Sequence, residues 1–397
     1  MSEYFHAYLR NASLVLESFE FKEPFAVFLK SYFKKNKKFG SRDRKIVSDL
    51  CYGYWRLGNA AIDLPTFSAI IAGYYLTHQN DNGFLQAVFP ELYPTITDDP
   101  TQKLKEVTVY FPSFEPAKIF SFSEELSIDL DKLQWSLKHL EKPAVFLRIR
   151  PGKADFVISQ LRSAGIDFDQ MGSSALRLHK NVDLEGVIKL DSDAVVQDIA
   201  SQQTGSLLEN LPTKINSFWD ACAGSGGKSI MVHDFFPKAK FFASDVREEI
   251  LLELNRRFEN AGINAEKIFC NDLSHDMAGQ VLSSNLPQNG VDLIIADVPC
   301  TGSGTWRRSP EWLSSFDVAS IDQYVRLQQK IVDLLCEQVQ ENKFLLYITC
   351  SVFRKENEEM VSYILDKGGL KILSQQHCFG ENSGGDHLFA ALFISEV

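Results

Sequence analysis

Two cysteines stand where apolar, strand-like runs stop. VDLIIADV (291–298) leads through Pro299 to Cys300, and KFLLYITCS (343–351) carries Cys350 at its end. A cysteine at a strand end is usually a small, inert hydrophobe. The other reading is a reactive thiol, and that reading requires partners brought to the same spot by other parts of the chain. The first candidate partner is a glycine-rich turn, FWDACAGSGGKS (218–229), flanked by an apolar run and a helical pattern.

That turn fits two familiar phosphate loops poorly. A Walker A loop requires a glycine five residues before Gly227, where Cys222 stands, and a dinucleotide GxGxxG begun at Gly224 and Gly226 requires one at Ser229. What remains is a turn that lets a ligand approach the backbone at a helix N-terminus. Asp245 ends the next apolar run, 19 residues beyond Gly226, and its carboxylate suits ribose hydroxyls. Asp272 and Asp297 stand at two further run ends, and Asp220 at the first. Any one aspartate at a strand end is ordinary. Four in succession are expected to line one crevice at the carboxyl edge of a sheet. They suit a ligand with a ribose, an adenine amine and a cationic centre better than a pyrophosphate. S-adenosylmethionine is such a ligand.

In the usual strand order of methyltransferase sheets, the runs ending at Asp297 and Thr349 are neighbours. Cys300 and Cys350 are then expected side by side, next to the methyl donor. Methylation of cytosine C5 makes use of a thiol, because C5 is a poor nucleophile. Attack of a thiolate on C6 makes C5 enamine-like, a base later removes the C5 proton, and the thiol leaves. Methylation of an exocyclic amine uses no such nucleophile, and those enzymes generally carry Pro and an aromatic after the Asp or Asn. Here Val298, Pro299 and Cys300 follow Asp297.

The segment from about 197 to 394 closely resembles the RsmB/Nop/Sun family of RNA cytosine-5 methyltransferases, most of all the bacterial enzymes of 16S rRNA. The resemblance rests on QDIASQ (197–202), DACAGSGGK (220–228), SDVREE (244–249), NDLS (271–274), DLIIADVPCTGSGTWRRSPEW (292–312), LLYITCSVFRKENEEMV (345–361) and DHLFAALF (386–393), in order and at sensible spacing. It implies that Cys350 attacks C6, that Cys300 assists release of the product, and that Asp297 contacts the base or the methyl donor. It also implies that Cys222, Ala223, Gly224, Ser225, Gly226, Gly227 and Lys228 hold the methionine part of S-adenosylmethionine, with Lys228 reaching its carboxylate. Asp245 would take the ribose and Asp272 the adenine side. Gly224-Ser225 replace the family's usual Ala-Pro, which bears on the rigidity of the loop.

The elements that must position these residues follow an α/β plan. From about 214, apolar runs alternate with helical patterns, as in a doubly wound sheet. The fold class expected is a Rossmann-like methyltransferase domain over 209–397. A helical region over 1–125 precedes it, similar to a divergent NusB-like RNA-binding domain. A small α+β lobe over 126–208 resembles the family's ferredoxin-like RNA-binding module. Residues 93–115 read as a connection. The basic stretch Lys34, Lys35, Lys37, Lys38, Arg42, Arg44 and Lys45, opposed only by Asp43, is either a solvated face or a phosphate-contacting patch. Arg307 and Arg308 beside Trp306 offer a stacking-plus-phosphate site near a target base, or else form a plain exposed loop.

Composition bounds the rest. The 397 residues are 45% hydrophobic with a net charge of −11, which argues against coating nucleic acid through net charge and leaves room for a local basic groove. Seven scattered cysteines without a CxxC pair argue against a zinc ribbon and a disulfide scaffold, so no metal is expected. The start shows no apolar signal region, and SAIIAGYYL is too short to span a membrane. A monomer in a reducing cytoplasm, without membrane association, is the expectation. Cys51, Cys270, Cys336 and Cys378 read as packing thiols, and His233, His275, His377 and His387 as surface or turn residues. The run Glu356-Asn357-Glu358-Glu359 reads as a solubilising helix cap, with a lesser alternative in positioning the catalytic loop. Two functions remain: an active methyltransferase of ribosomal RNA, with tRNA as the other substrate, or an RNA-binding assembly factor that keeps the fold without turnover.

Overall fold

The alternating pattern after residue 214 becomes a seven-stranded sheet in the computed structural model, which describes residues 2–79, 83–95, 97, 99–180, 182–209, 211 and 214–396. The chain divides into two units. One consists of the residues up to Lys142 together with Thr305–Val318, and the other of Pro143–Gly304 with Ala319–Val397.

The first unit is helical, as expected. Its helices Ser2–Glu17, Phe25–Lys35, Ser41–Trp55 and Thr66–Thr77 bury Val15, Phe25, Leu50 and Ile70 in one core. The apolar run SAIIAGYYL forms most of the Thr66–Thr77 helix, which is buried from Ala69 to Leu76. This helix lies so close to Ser41–Trp55 that a Cβ on Gly73 would stand 2.4 Å from the Gly53 carbonyl oxygen. Among the described residues, no helix is long and apolar enough to cross a membrane.

Three expectations change in this unit. The stretch 93–115 contains a helix, Pro100–Tyr110, because Asp99 accepts the Thr101 amide at its start, proline opens it, and Leu104 and Val107 are buried. Residues 96 and 98 of that stretch lie outside the described residues. The unit also runs past 125 to Lys142, since Trp135 is buried against Phe120 and His139, with ring centroids 6.1 and 5.0 Å away. Finally it recruits Thr305–Val318, which the sequence assigns to the catalytic domain.

The second unit holds two sheets. Strands β1 (Val145–Ile149), β2 (Phe168–Met171), β3 (Ala175–Leu178) and β4 (Ala194–Val196) form an antiparallel sheet in the order β2-β3-β1-β4, with one crossover helix, Ala154–Ser163. That order and chain path are ferredoxin-like, with turns in place of the second helix. The large sheet contains β5 (Ser217–Asp220), β6 (Lys240–Asp245), β7 (Lys267–Cys270), β8 (Leu293–Asp297), β9 (Phe344–Thr349), β10 (Leu370–Phe379) and β11 (His387–Ser395). Its order is β10-β11-β9-β8-β5-β6-β7. β5 to β9 are parallel, whereas β11 runs antiparallel to both β9 and β10. β5 to β9 were legible in the sequence. β10 and β11 were not, because β10 is polar in its middle and its register shifts between Ile372 and Ser374.

The chain moves outward from β5 to β7 and then returns to β8 on the other side of β5. This reversal opens a crevice at the carboxyl ends of β5 and β8. The small sheet and its loops are tied to helices of the large sheet through largely buried ion pairs. Arg148 and Arg150 both meet Asp234, at 2.5 and 2.8 Å, and Arg257 meets Asp191 at 2.7 Å.

Candidate active site

β8 and β9 are adjacent, with Asp297 opposite Ile348. Each strand hands its chain to a loop that carries one cysteine. The Cys300 and Cys350 sulfurs are 3.3 Å apart, and the Cys350 amide also donates to the Cys300 sulfur at 3.3 Å. The hydrogen bond to Cys350, then burial, push the Cys300 thiol well above its ordinary range. Either sulfur can donate S–H to the other across this contact.

The two loops touch through backbone as well. The Gly304 amide donates to the Cys350 carbonyl at 2.9 Å. A Cβ on Gly304 would stand 2.0 Å from the His387 carbonyl oxygen, so only glycine fits there. Beneath them lies Glu356, fully buried. Its carboxylate accepts the Thr301 amide at 2.9 Å, the Thr301 hydroxyl at 2.6 Å, the Gln328 side-chain amide at 2.9 Å, and the Ser351 hydroxyl. Asn357, also buried, donates to the Ser351 carbonyl at 3.0 Å and accepts from the Thr349 hydroxyl at 2.5 Å. The expected solubilising cap is corrected here: the first two residues of that run face inward and fasten the catalytic loops.

A cleft of about 550 Å³ opens beside Asp297 and Pro299. Its polar wall contains Asp245, Asn271, Asp272 and Asp297, and its apolar wall contains Leu273, Leu327 and Ile331. The size lies within the roughly 300–1,000 Å³ of small-molecule sites. Of the glycine loop, Cys222 and Gly224 line the cleft. Ser225 faces elsewhere, its carbonyl and hydroxyl taken by Arg257 at 3.0 and 3.1 Å, and a Cβ on Gly226 would press on Phe258 at 2.8 Å. Ala223, Gly227 and Lys228 are likewise outside the lining. Lys228 is held by Asp297 at 2.6 Å rather than pointing to a ligand carboxylate. Burial opposes the charge on Lys228, but the Asp297 carboxylate outweighs it and raises the ammonium's pKa.

The acidic series divides. Asp245, Asp272 and Asp297 face the cleft, whereas Asp220 is fully buried behind the loop and accepts the Ser229 hydroxyl at 2.6 Å. Burial pushes its carboxyl up to about 7. Asp245 accepts the Gly224 amide at 2.8 Å and the Arg247 guanidinium at 2.9 and 3.2 Å. Burial works against the charge on Asp245, and these hydrogen bonds outweigh it, holding the carboxyl below the usual range. Arg247 and Asn271, both in the cleft wall, carried no signal beyond their place in the SDVREE and CNDLS segments.

The stretch expected to present RNA is corrected in part. Trp306 is buried against Phe120, Phe122 and Phe316, with centroids 6.1, 5.7 and 4.7 Å away. Arg307 is fully buried, its guanidinium 3.3 Å from Glu141, and its carbonyl accepts from Arg56 at 2.9 Å. Both side chains are spent on the core of the helical unit, so neither is presented to solvent for stacking or phosphate contact. Arg308 is exposed. Lys34, Lys35, Lys37 and Lys38 are exposed too, as are Arg42, Arg44 and Lys45. Asp43, the acid among them, accepts from the Tyr8 hydroxyl at 2.7 Å and the Gly40 amide at 2.9 Å.

Two smaller readings also change. His387 is buried and the His377 side chain nearly so, and the two are hydrogen-bonded to one another at 3.1 Å, between Glu358 and Glu381, so they are not surface residues. Cys270 is exposed rather than a packing thiol. Among the described residues, no cluster of His, Cys, Asp and Glu is arranged to hold a metal ion.

The strand order, the antiparallel final strand and the crevice at the reversal define a Rossmann-like methyltransferase fold. Residues 208–385 match the family described as 16S rRNA methyltransferase RsmB/F. Among curated relatives, the ribosomal RNA small subunit methyltransferase B of Photorhabdus laumondii is 27% identical over 266 residues, which is 63% of this chain and 59% of that protein. The protein of the same description from Pasteurella multocida is 30% identical over 231 residues, 56% of this chain and 50% of that protein. The chain thus matches three fifths or less of the length of these relatives. Solved structures share the fold. PH0851 aligns over 94% of this chain and 95% of its own, with a TM-score of 0.69 at 17% identity. NSun6 from Pyrococcus horikoshii, solved with SFG, aligns over 70% of this chain and 98% of its own, with a TM-score of 0.58 at 14% identity.

Proposed function

We propose that this chain methylates C5 of a cytosine in RNA, with S-adenosylmethionine as donor and small-subunit ribosomal RNA as substrate. The observation that carries this reading is the pair of sulfurs 3.3 Å apart, with Cys300 directly following Pro299 of the cleft wall. An amine methyltransferase has no use for two adjacent thiols there. The cleft suits the donor: carboxylates for a ribose and a cationic centre, an asparagine beside them, and an apolar wall for an adenine ring. Bound there, the donor supplies an electrophilic methyl group.

The chain's own residues supply the rest. The Cys350 sulfur bonds to C6 of the cytosine, which gives C5 enamine character and readies it for methylation. A base then takes the C5 proton, the sulfur–C6 bond breaks, and the electron pair returns to Cys350. Cys300, holding its proton, donates S–H to that departing sulfur and stabilises it. Asp297 faces both the cleft and Lys228, and keeps the ammonium beside the reacting centre. The target base is taken unstacked, at a cost of roughly a few kcal/mol. The exposed lysines 34, 35, 37 and 38, with Arg308, are assigned to RNA phosphates. The relatives' names support ribosomal RNA over tRNA. The chain is taken to act as a monomer in the cytoplasm.

The test is bisulfite sequencing of total RNA from cells with and without this protein. Loss of a protected cytosine in small-subunit RNA supports the reading. An unchanged map, with purified protein inactive on that RNA, leaves an RNA-binding assembly factor instead.

A further inference from the structure

Two equivalent thiols in contact pose a problem for any mechanism that gives them different tasks. Something must decide which one holds the proton and which one attacks. The sulfurs share one hydrogen bond, and their loops come from neighbouring strands of one sheet. The asymmetry therefore has to come from what surrounds them.

Glu356 is the group placed to supply it. It reaches the residue after each cysteine: Thr301 through amide and hydroxyl, and Ser351 through its hydroxyl. The Thr301 and Ser351 hydroxyls are themselves 3.2 Å apart. Gln328, also fully buried, extends the network by donating both to Glu356 and to the Pro299 carbonyl, at 2.9 and 3.0 Å. Four donors converge on one carboxylate, a geometry that suits an acceptor-only group. Burial raises the Glu356 carboxyl above its ordinary range against these hydrogen bonds, and its charged form acts on Cys300 in the same direction as the Cys350 contact. On the other side, the Lys228 ammonium and the Cys350 sulfur lie within electrostatic reach of each other.

We propose that Glu356 is a positioning residue that clips the Cys300 loop to the Cys350 loop and fixes Cys300 as proton donor and Cys350 as acceptor. The inference rests on the cytosine-5 reading for its consequence in turnover, but not for its effect on the thiols. Glu356→Gln keeps the shape and replaces one acceptor oxygen with a donor that faces other donors.

The experiment compares wild-type protein with Glu356→Gln, and with Ser351→Ala, which removes one arm of the clip and serves alone if the glutamine variant fails to fold. Iodoacetamide labelling across a pH series, read by peptide mass spectrometry without RNA, gives the rate at each cysteine. The expected result is that Cys350 reacts at least tenfold faster than Cys300 in wild type, and that this ratio falls to within threefold in the variants. Turnover on RNA is expected to show kcat down at least tenfold with KM for RNA within twofold, a split that loosened folding alone would not produce. Unchanged cysteine selectivity in both variants overturns the proposal. If the selectivity collapses as expected while wild-type protein methylates no cytosine, the inference about Glu356 stands and the assigned reaction falls.

Discussion

Replacing Gly304 by alanine adds one methyl group at the tightest point of the catalytic loops. Its Cβ would stand 2.0 Å from the His387 carbonyl oxygen and 3.1 Å from that of Cys350. A carbon–oxygen contact settles at about 3.3 Å, so the shortfall is about 1.3 Å. His387 cannot give way, because it is paired with Phe379 in the β10–β11 ladder. The 300–304 loop must move instead, and with it the Gly304 amide that holds Cys350, a hydrogen bond of about 1 kcal/mol. A displacement of about 1 Å at reacting groups costs on the order of 100-fold in rate. The donor cleft is walled mainly by other segments. Gly304→Ala is thus expected to lower kcat about 100-fold with donor affinity within about threefold. Initial rates on small-subunit RNA with radiolabelled donor, alongside calorimetric donor binding, measure both. A variant that keeps kcat within about threefold would refute the claim that contact between these loops sets the thiol geometry.

Further outcomes follow from burial and charge. Trp306→Ala should cost about 3–5 kcal/mol of stability in urea titrations, because it empties a site walled by Phe120, Phe122 and Phe316. Arg308→Ala should stay within about 0.5 kcal/mol, and a Trp306 loss below about 1 kcal/mol would restore the exposed-stacking reading. Burial lifts Asp220 to about 7, against about 3.9 unfolded, so the folded state binds the extra proton. Stability should therefore fall as pH rises from about 4 to about 7 and level off above, and Asp220→Asn should flatten that slope; identical slopes in wild type and variant would contradict it. Changing Lys34, Lys35, Lys37 and Lys38 together to glutamine should weaken RNA binding and reduce the slope of log affinity against log salt by roughly 3, at about 0.7 per phosphate contact. An unaltered slope would return those lysines to a plain solvated face.

Legibility in the sequence followed burial for the parallel strands but not for β11, whose buried apolar run stood only as the motif DHLFAALF. β5 to β9 showed as apolar runs because both faces of a parallel strand are covered, and their ends pointed to Asp245, Asp272, Asp297 and the two cysteines. β10 carries Ser374, Gln375, Gln376 and His377 in its middle and reads as a loop. Glu356 was hidden by its neighbours, since Glu-Asn-Glu-Glu looks like a solvated helix start, and nothing local records that its first residue turns inward onto Thr301 and Ser351. Trp306 and Arg307 misled in the opposite way. An aromatic and an arginine after a glycine-rich loop suggest a nucleic-acid lip, while the surface that buries them comes from residues nearly 200 positions earlier, Phe120 and Phe122. Long-range packing of that kind leaves no trace in spacing or composition.

The most direct measurement is a covalent trap. Cys300→Ala protein incubated with substrate RNA and S-adenosylmethionine should accumulate a slow-migrating protein–RNA species on a denaturing gel, and peptide mapping should place the bond on Cys350. Cys350→Ala should form no such species and no methylated cytosine, while binding the donor within a few-fold of wild type. A bond mapped to another residue, or methylation by Cys350→Ala at the wild-type rate, would contradict the account.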